Sequence, residues 1–568
     1  MNALDYLVLV GALLGIAVYG MWRTRHRDTL GSYLRGSGTA GWAAIGLSVM
    51  ATQASAITFL STPGQGYEYG LDFVQNYFGA PFALMLIAAV FLPILRRLGV
   101  FTAYEYLGRR FDGKTRLLGM SLFLLQRGLA AGITIYAPAI VLSALFGWRL
   151  DATIVLTGLL VVVYTVAGGS DAVTITQKYQ MGIIFAGLLA AFAVLIRRLP
   201  AGVSASDALV VAGGFGRLHA VDFSLDVHRR YTFWSGLLGG FFLALSYFGT
   251  DQSQVQRYLA GASLKESRLG LMFNAVFKIP MQAFILLLGA LVFAFYQFER
   301  PPIVFNPAAA AAAVGADSGK LQKLEADFSS IHAQKRLWIG RWLEARHSGD
   351  AAAEVAARSE ALAQGRRADM VRTQVRSVLL RPGPAGAEAN DADYVFIRFV
   401  IDHLPHGLVG LLVAMILAAA MSSKSAELNA LGSVTTVDLY RNAVRPGADD
   451  AHCLAASRWF TALWGLAAIA FALFARLAEN LIQAINILGS VFYGVMLGIF
   501  LVAFFLKPVR GTAVFWGAIG AQALVFALYA ALTISYLWYN LIGCAACVGL
   551  SLAIQAGIGF GTREDRHA

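Results

Sequence analysis

Two short segments combine residue types and spacings that suit the coordination of a small cation. Ala51-Thr-Gln-Ala54-Ser-Ala and Ala419-Ala-Met-Ser422-Ser423 each interrupt a long apolar run with small and hydroxyl-bearing residues and no charge. A dehydrated sodium ion needs backbone carbonyls, which a weakened helix exposes, and hydroxyl oxygens opposite them. Positions 419, 422 and 423 share one helix face by their spacing. The alternative is that small residues only allow close helix packing.

The composition places these segments in a membrane. Of the 568 residues, 58% are hydrophobic and 14% are charged, and the mean hydropathy is +0.63. A soluble globule of this size needs more charge on its surface. Apolar runs long enough to cross about 30 Å of hydrocarbon predict thirteen spans, at residues 3–22, 40–68, 73–96, 115–146, 152–168, 173–197, 231–258, 267–298, 396–438, 456–476, 481–506, 511–533 and 536–558.

The distribution of basic residues predicts the orientation. The first run ends at Trp22-Arg-Thr-Arg-His-Arg, which would hold that end in the cytoplasm and leave the N-terminus outside. An odd number of spans then leaves the C-terminus cytoplasmic, in a multi-pass protein of the plasma or inner membrane. The net charge of +12 is explained by these loops, so no nucleic-acid partner is expected, and no obligatory protein partner is inferred. The lipid bilayer and a small-molecule substrate are the expected partners.

Residues 299–395 break the apolar pattern with an alanine-rich, charged stretch that has helical spacing from Lys320 to Arg376. This predicts an extracytoplasmic helical hairpin, either a solvated decoration and oligomer contact or a lid that captures substrate. The predicted organisation is an accessory helix and cytoplasmic linker (1–30), a first repeat (40–197) and the start of a second within 31–298, the insertion (299–395), the rest of the second repeat (396–506), and accessory helices with a short cytoplasmic tail (507–568).

Several motifs in a fixed order resemble the sodium/solute symporter family, from about residue 5 to 510 without the insertion. They are Leu47-Ser-Val-Met-Ala51-Thr-Gln53-Ala-Ser-Ala-Ile-Thr58, Thr102-Ala-Tyr-Glu-Tyr106, Tyr164-Thr-Val-Ala-Gly168-Gly169, Asp251-Gln-Ser-Gln-Val-Gln256-Arg-Tyr258 and Met421-Ser-Ser-Lys-Ser-Ala-Glu-Leu428. The second and fourth are most similar to the branch that carries iodide, vitamins and monocarboxylates. The resemblance implies an all-α fold of about thirteen transmembrane helices with two inverted five-helix repeats of the LeuT type, and binding sites near mid-membrane.

The resemblance also implies which residues bind the coupling ion. One sodium would lie between Ala51, Ala54, Ala419, Ser422 and Ser423. Some members bind a further sodium through an acidic residue and two adjacent serines, where this chain has Gln177, Ser425 and Ala426. An amide coordinates a cation without neutralising it, and Lys424 adds positive charge nearby unless Glu427 pairs with it. The second cation site is therefore doubtful, and no organic cofactor is expected.

Polar groups near the predicted cavity are candidates for substrate contact. Lys278 lies inside an apolar run, where a charge needs a partner or a function, and Arg127 would fork onto a carboxylate or pair with an acidic neighbour. The substrate candidates are Gln53, Thr58, Gln75, Asn76, Arg127, Lys278, Gln483 and Asn486, and the gate candidates are Tyr67, Tyr247 and Phe248. For the neutral polar residues and the gate candidates, core packing or an interhelical hydrogen bond is an equal alternative.

The predicted function is sodium-coupled import of a small organic solute, with a carboxylate or other anion favoured, by alternating access. The alternatives are a proton-coupled or uncoupled carrier of the same fold, and a membrane sensor without transport. The chain has none of the metal-ligand or nucleophile motifs that catalysis requires, so it is not expected to be an enzyme. Three cysteines, two of them in Cys544-Ala-Ala-Cys547 within an apolar run, do not suggest redox chemistry.

Overall fold

The computed structural model describes residues 2–24, 30–35, 38–307, 318–379, 391–474 and 481–559, except for the side chains of 16, 17, 20, 21, 23, 24, 32, 35, 168–175, 318, 378 and 379. The regular elements in these ranges are helices. The α-helices are α1 Ala3–Thr24, α2 Leu30–Arg35, α3 Trp42–Gln53, α4 Ala56–Tyr69, α5 Ala80–Leu86, α6 Leu92–Leu98, α7 Ala103–Arg110, α8 Gly113–Phe146, α9 Leu150–Arg197, α10 Ala205–Gly214, α11 Gly240–Gly249, α12 Gln252–Leu259, α13 Leu264–Phe298, α14 Ser318–Ser348, α15 Ala351–Leu379, α16 Ala392–His403, α17 Leu408–Val434, α18 Asp450–Phe474, α19 Leu481–Phe505, α20 Gly511–Ala531 and α21 Leu537–Ile558. A 3₁₀ helix, Asp72–Tyr77, and three π-helical segments, Ile87–Phe91, Ser235–Gly239 and Thr435–Val444, extend neighbouring helices.

The helices account for the thirteen predicted spans. Ten helical segments are long and apolar enough to cross a membrane, and the bent pair α3 and α4 forms an eleventh. The other two runs, 3–22 and 231–258, contain the apolar helices Ala3–Gly15 and Ser235–Gly249, which have 10–17 residues and are shorter than the helices that could cross a membrane. The predicted spans 152–168 and 173–197 lie within one continuous helix, α9. Residues 25–29 of the predicted linker and 560–568 of the predicted tail lie outside the described residues.

Both predicted repeats begin with a broken helix, as expected for two inverted five-helix repeats. The axes of α3 and α4 differ by 62° at Ala54 and Ser55, where Ser55 is extended (φ −78°, ψ 175°). The run 231–258, predicted as one span, is likewise divided at Thr250 and Asp251. The Asp251 carboxylate accepts a hydrogen bond from the Ser253 amide and caps α12, so the chain restarts a helix within the apolar run.

The run 396–438 was also predicted as a single span, and the structure divides it. Helix α16 ends at His403, and Leu404 is extended (ψ 146°) because the following Pro405 disfavours the helical conformation. Gly407 adopts φ +90°, a conformation open mainly to glycine, and α17 begins after it. The division separates a short outer helix from the long helix that carries Ser422 and Ser423.

Helices α14 and α15 form the predicted hairpin. Phe328 of α14 packs with Val375 of α15 in one apolar cluster, while Ile339 and Trp342 pack against Val211 of α10 in another. The hairpin is therefore held to the membrane domain by buried apolar contacts as well as by its own core. We call the end of the molecule that carries the hairpin the outer end, following the sequence prediction that the hairpin is extracytoplasmic.

Helix α4 lies in backbone contact with its neighbours on two sides. A Cβ atom added at Gly64 would lie 2.0 Å from the Ala392 carbonyl oxygen, and one at Gly66 would lie 2.3 Å from the Leu286 carbonyl oxygen. Such contacts require backbone movement. The outer half of the broken helix is therefore tightly held between α16 and α13.

We expect Gly64→Ala to lower the free energy of unfolding by about 1–3 kcal/mol, the usual cost of overpacking. Gly182→Ala is the matched control, because a Cβ on that helical glycine meets nothing within 4 Å. The melting temperatures of the two purified variants provide the test. Equal melting of Gly64→Ala and wild type would contradict the close packing of α4.

Candidate functional site

The break between α3 and α4 faces the middle of α17, which brings the two sequence segments together. The Ser422 hydroxyl donates a hydrogen bond of 3.3 Å to the Ala51 carbonyl oxygen, 371 positions away. The Ser423 hydroxyl donates to the Ala419 carbonyl oxygen at 3.1 Å. These four residues and Ala54 are buried. Because α3 ends at Gln53, its last turn lacks a full set of helical donors, and the Ala51 carbonyl accepts from Ser422 instead, so oxygen ligands gather at one interface.

Gln177 of α9 lies directly beside this interface. Its amide nitrogen donates to the Thr52 hydroxyl at 3.1 Å and to the Ser422 carbonyl oxygen at 3.3 Å, and its amide oxygen accepts from Ser48. The amide thus links α3, α9 and α17. Ser425 faces elsewhere, since it donates to the Met421 carbonyl oxygen at 2.6 Å and accepts from Thr165 at 3.1 Å.

A central cavity of about 90 Å³ opens next to the break. Thr52, Gln53 and Ser55 of the broken segment form part of its wall, so the candidate ion site and the cavity share one stretch of backbone. The predicted substrate and gate residues that line it are Gln53, Thr58, Asn76, Arg127, Tyr247, Phe248 and Asn486.

A buried charge cluster, formed by Arg127, Asp251, Lys424 and Glu427, lies at one side of this cavity. Arg127 pairs with Asp251 and, at 3.3 Å, with Glu427, while Lys424 pairs with Glu427. All four side chains are at most 4% exposed. The two positive and two negative charges balance, as buried charges must if they are not to be prohibitively costly.

Tyr493 completes the cluster. The Arg127 guanidinium donates to the Tyr493 hydroxyl at 2.5 Å, and that hydroxyl donates to the Asp251 carboxylate at 3.0 Å. Arg127 thus lines the cavity and is also paired with acidic neighbours. Sequence reasoning missed Asp251 as a member of the site, although the Asp-x-Ser sequence at 251–253 is a local signal for a helix cap. Lys424 does pair with Glu427, the possibility that the sequence analysis raised.

Two other substrate candidates, Lys278 and Gln75, do not line the central cavity. Lys278 is 2% exposed, and its ammonium group lies 4.7 Å from the ring centre of Tyr77, which lines the cavity. No described residue forms an ion pair with Lys278. Gln75 instead accepts from the Asp222 amide at 2.9 Å and donates to the Tyr231 carbonyl oxygen at 3.3 Å.

Gln483 separates the central cavity from a second, outer cavity. Its amide donates to Gln65 of α4 at 3.0 Å and accepts from Arg230 at 2.8 Å. Both partners line the outer cavity, whereas the adjacent Ile482 lines the central one. We name the chain Gln65–Gln483–Arg230 the outer constriction. The gate candidate Tyr67 lies elsewhere, edge-on to the rings of Phe293, Tyr296 and Phe305 near the hairpin.

Two broken helices, a central polar cavity and a constriction on one side of it are features typical of carriers with inverted repeats. The family model for the sodium:solute symporter family matches residues 33–324 and 374–520, so the chain belongs to that family. A solved structure, described as the substrate-bound outward-open state of a Na⁺-coupled sialic acid symporter, shares the fold with a TM-score of 0.75 over 98% of each chain, at 22% identity. The predicted all-α fold is confirmed.

The curated relatives belong to the branch that the motifs indicated. Human sodium-coupled monocarboxylate transporter 1 is 36% identical over 275 residues, covering 48% of this chain and 45% of the relative. The human sodium/iodide cotransporter is 33% identical over 298 residues (52% and 46%), and the sodium-dependent multivitamin transporter of Oryctolagus cuniculus 32% over 303 residues (52% and 46%). The chain spans about half the length of the curated relatives it matches.

Among the described residues, no group of three or more His, Cys, Asp or Glu side chains is arranged to hold a metal ion. The oxygen atoms at the α3–α4 break are carbonyls and hydroxyls, which suit a hard monovalent cation. This donor set therefore fits a sodium ion.

Proposed function

We propose that this protein is a sodium-coupled symporter that imports a small organic solute, with carboxylates or other anions favoured, by alternating access. The observation that carries the proposal is the contact of Ser422 with the Ala51 carbonyl at the helix break, beside a polar central cavity. Membership of the sodium:solute symporter family supports it. The cell membrane location, with the N-terminus outside and the C-terminus in the cytoplasm, belongs to the same proposal and rests on the basic loops.

The coupling ion would bind among the carbonyls of Ala51, Ala54 and Ala419 and the hydroxyls of Ser422 and Ser423. The two hydroxyls need only rotate their hydrogens away to present lone pairs. A bound sodium would then link α17 to the α3–α4 break and hold in place the segment around Gln53, which lines the central cavity. Because that segment lines the substrate cavity, ion binding and substrate binding would strengthen each other by the same factor.

The anion preference rests on the charges around the cavity. Arg127 and Glu427 line it with opposite charges, and Lys278, with which no described residue forms an ion pair, lies behind Tyr77. When Lys278 is protonated the excess charge is positive, and a bound anion would in turn favour that protonated form in a low-dielectric site. For a substrate to pass from the outer cavity into the central cavity, the outer constriction must open. Its three polar side chains can then replace their mutual hydrogen bonds by hydrogen bonds to water.

The number of coupled ions limits what this carrier can accumulate. A single sodium with a monoanion moves no net charge, so a tenfold sodium gradient, worth about 1.4 kcal/mol, supports about tenfold accumulation. A second cation would add about 2.3 kcal/mol per 100 mV. The Gln177 amide, engaged with Ser48, Thr52 and Ser422, supports the single-sodium reading.

Uptake into proteoliposomes tests the proposal. We expect an inward sodium gradient, and not a proton gradient, to drive uptake of a labelled short monocarboxylate. Lys278→Met should raise the KM for the carboxylate at least about tenfold, the effect of losing about 1.4 kcal/mol of electrostatic attraction. Lys265→Met is the matched control, because Lys265 is an exposed lysine on the same helix. Unchanged KM in Lys278→Met would contradict the anion preference.

A proton-coupled carrier is the second candidate, favoured by one observation. Glu427 lines the cavity and Asp251 lies next to it, and proton-driven carriers use buried carboxylates. Uptake driven by a proton gradient in sodium-free vesicles would support this candidate and overturn sodium coupling.

A further inference from the structure

The hairpin closes over a third pocket, part of whose lining lies outside the family match. The family match stops at residue 324 and resumes at 374, and the missing stretch forms most of α14 and α15. The pocket lies where this hairpin meets the outer end of α4, and we name it the hairpin pocket. Its charged lining residues are Glu68, Arg217, Lys335, Asp369, Arg372 and Arg376.

The charges of the hairpin pocket do not balance. Four lining residues are cationic and two are anionic, so the net formal charge is +2. Arg376 uses its guanidinium to pair with Glu68 at 3.1 Å, which links α15 to the last turn of α4. Asp369 is the other acidic residue of the lining, while Asp391 and Asp72 act on Arg372 and Arg217 from outside it.

Three cations keep hydrogen-bonding capacity. Lys335 is 6% exposed, and no described residue accepts a hydrogen bond from it or forms an ion pair with it. Arg372 donates from one terminal nitrogen to the Pro302 carbonyl oxygen at 2.9 Å and is hydrogen-bonded to Tyr67, while its buried Nε has no partner. The buried Nε of Arg217 also has none. These donors belong to three separate elements: α14, α15 and the segment after α10.

Burying a cation that lacks an acceptor raises the free energy of the folded protein, and an anion bound beside it offsets that penalty. Burial and the neighbouring Arg372 lower the pKa of Lys335 to about 8, as expected for an ammonium group whose charge is poorly compensated. The planar guanidinium groups match the two oxygens of a carboxylate or of an inorganic oxyanion.

We propose that the hairpin pocket binds a small oxyanion between Lys335, Arg372 and Arg217. The bound anion joins the hairpin to the outer half of the broken helix, alongside the Arg376–Glu68 pair. It lies apart from the central cavity, with no lining residue in common. The shared chemistry allows two sources: the carried carboxylate itself, or a free inorganic anion such as phosphate or sulfate.

Hydrogen exchange of the purified full-length protein tests this site without transport. Phosphate, sulfate and acetate are each titrated in choline chloride at constant ionic strength and without sodium. We expect saturable slowing of exchange in peptides covering 320–345 and 366–376, and the most effective anion identifies the source. Absence of saturable slowing with all three anions in the wild type would overturn the proposal.

Two variants locate the effect. Lys335→Met keeps the aliphatic side chain and should raise the anion's dissociation constant at least tenfold. Arg336→Met is the matched control, since its side chain is exposed on the same helix, and it should bind as the wild type does. Equal anion affinity in Lys335→Met and wild type, or an equal loss in both variants, would contradict the assignment.

The pH dependence in the wild type provides an independent measurement if Lys335→Met folds poorly. Lys335 binds the anion when protonated, so affinity should be full below pH 7 and fall as the pH rises through about 8. The charged groups facing Lys335 are Arg372 and Asp369, and the other charged residues of the lining are Glu68, Arg217 and Arg376. His332 on the same helix has a pKa lowered to about 4 by burial and by Lys335, so it stays neutral. Constant affinity for sulfate, whose own charge does not change from pH 6.5 to 9, would overturn the role of Lys335.

Discussion

Replacing Asp251 by asparagine is expected to lower the free energy of unfolding by about 3–5 kcal/mol, the cost of removing one partner from a buried ion pair. Asp251 is fully buried, pairs with Arg127, accepts from Tyr493 and caps α12. An amide cannot neutralise Arg127, whose remaining partner Glu427 is shared with Lys424. Melting temperature or steric-trapping measurements on the purified protein provide the magnitude.

Asp402→Asn is the matched control for this prediction. Asp402 pairs with Arg398 at 2.8 Å, but both side chains are about one-third exposed, so the loss should be at most about 1 kcal/mol. The double variant Arg127→Gln with Asp251→Asn removes one charge of each sign and should recover part of the stability lost in Asp251→Asn. Similar melting temperatures of Asp251→Asn and Asp402→Asn would contradict the claim that the four buried charges of the cluster compensate one another.

Removing a single hydroxyl at the helix break should weaken sodium coupling. We expect Ser423→Ala to raise the sodium concentration for half-maximal uptake at least tenfold, which corresponds to about 1.4 kcal/mol. The physical reason is the loss of one of five proposed oxygen ligands, with no other change in a fully buried site. Uptake is measured against sodium concentration at saturating substrate.

Ser433→Ala provides the matched control for that measurement. Ser433 is buried on the same helix and donates to the Asn429 carbonyl oxygen at 2.7 Å, more than two turns away from Ser423. Its sodium dependence should equal that of the wild type. A normal sodium dependence in Ser423→Ala, or an equal change in both variants, would remove Ser423 from the ion site.

The fold could be predicted largely from local signals. Apolar runs locate the spans because the membrane thickness sets their length, and the uncharged segments around Ala51 and Ser422 mark weakened helix positions. The break at Thr250 and Asp251 was missed because it lies inside an apolar run, where hydropathy alone indicates a continuous helix. The bend at Pro405 was missed for the same reason.

The candidate site was less predictable, because its contacts join distant parts of the chain. Arg127 and Asp251 are 124 positions apart, and sequence spacing does not show which acidic residue a buried arginine will meet. Lys424 and Glu427, three positions apart on one helix, could be paired from their spacing. Periodicity also places Gln483 and Asn486 on one helix face but does not give their depth in the membrane. In the structure Gln483 lies at the outer constriction, whereas Asn486, three residues on, lines the central cavity.

The most direct test of sodium coupling is a substrate-independent measurement of sodium binding. The melting temperature of the purified wild-type protein is followed from about 1 to 200 mM sodium, with choline and potassium at equal ionic strength as references. Binding to the folded state alone should stabilise it by about 2.7 kcal/mol at one hundred times the dissociation constant, so a saturable rise specific to sodium is predicted. Equal melting temperatures in sodium, potassium and choline would contradict the sodium site at the α3–α4 break.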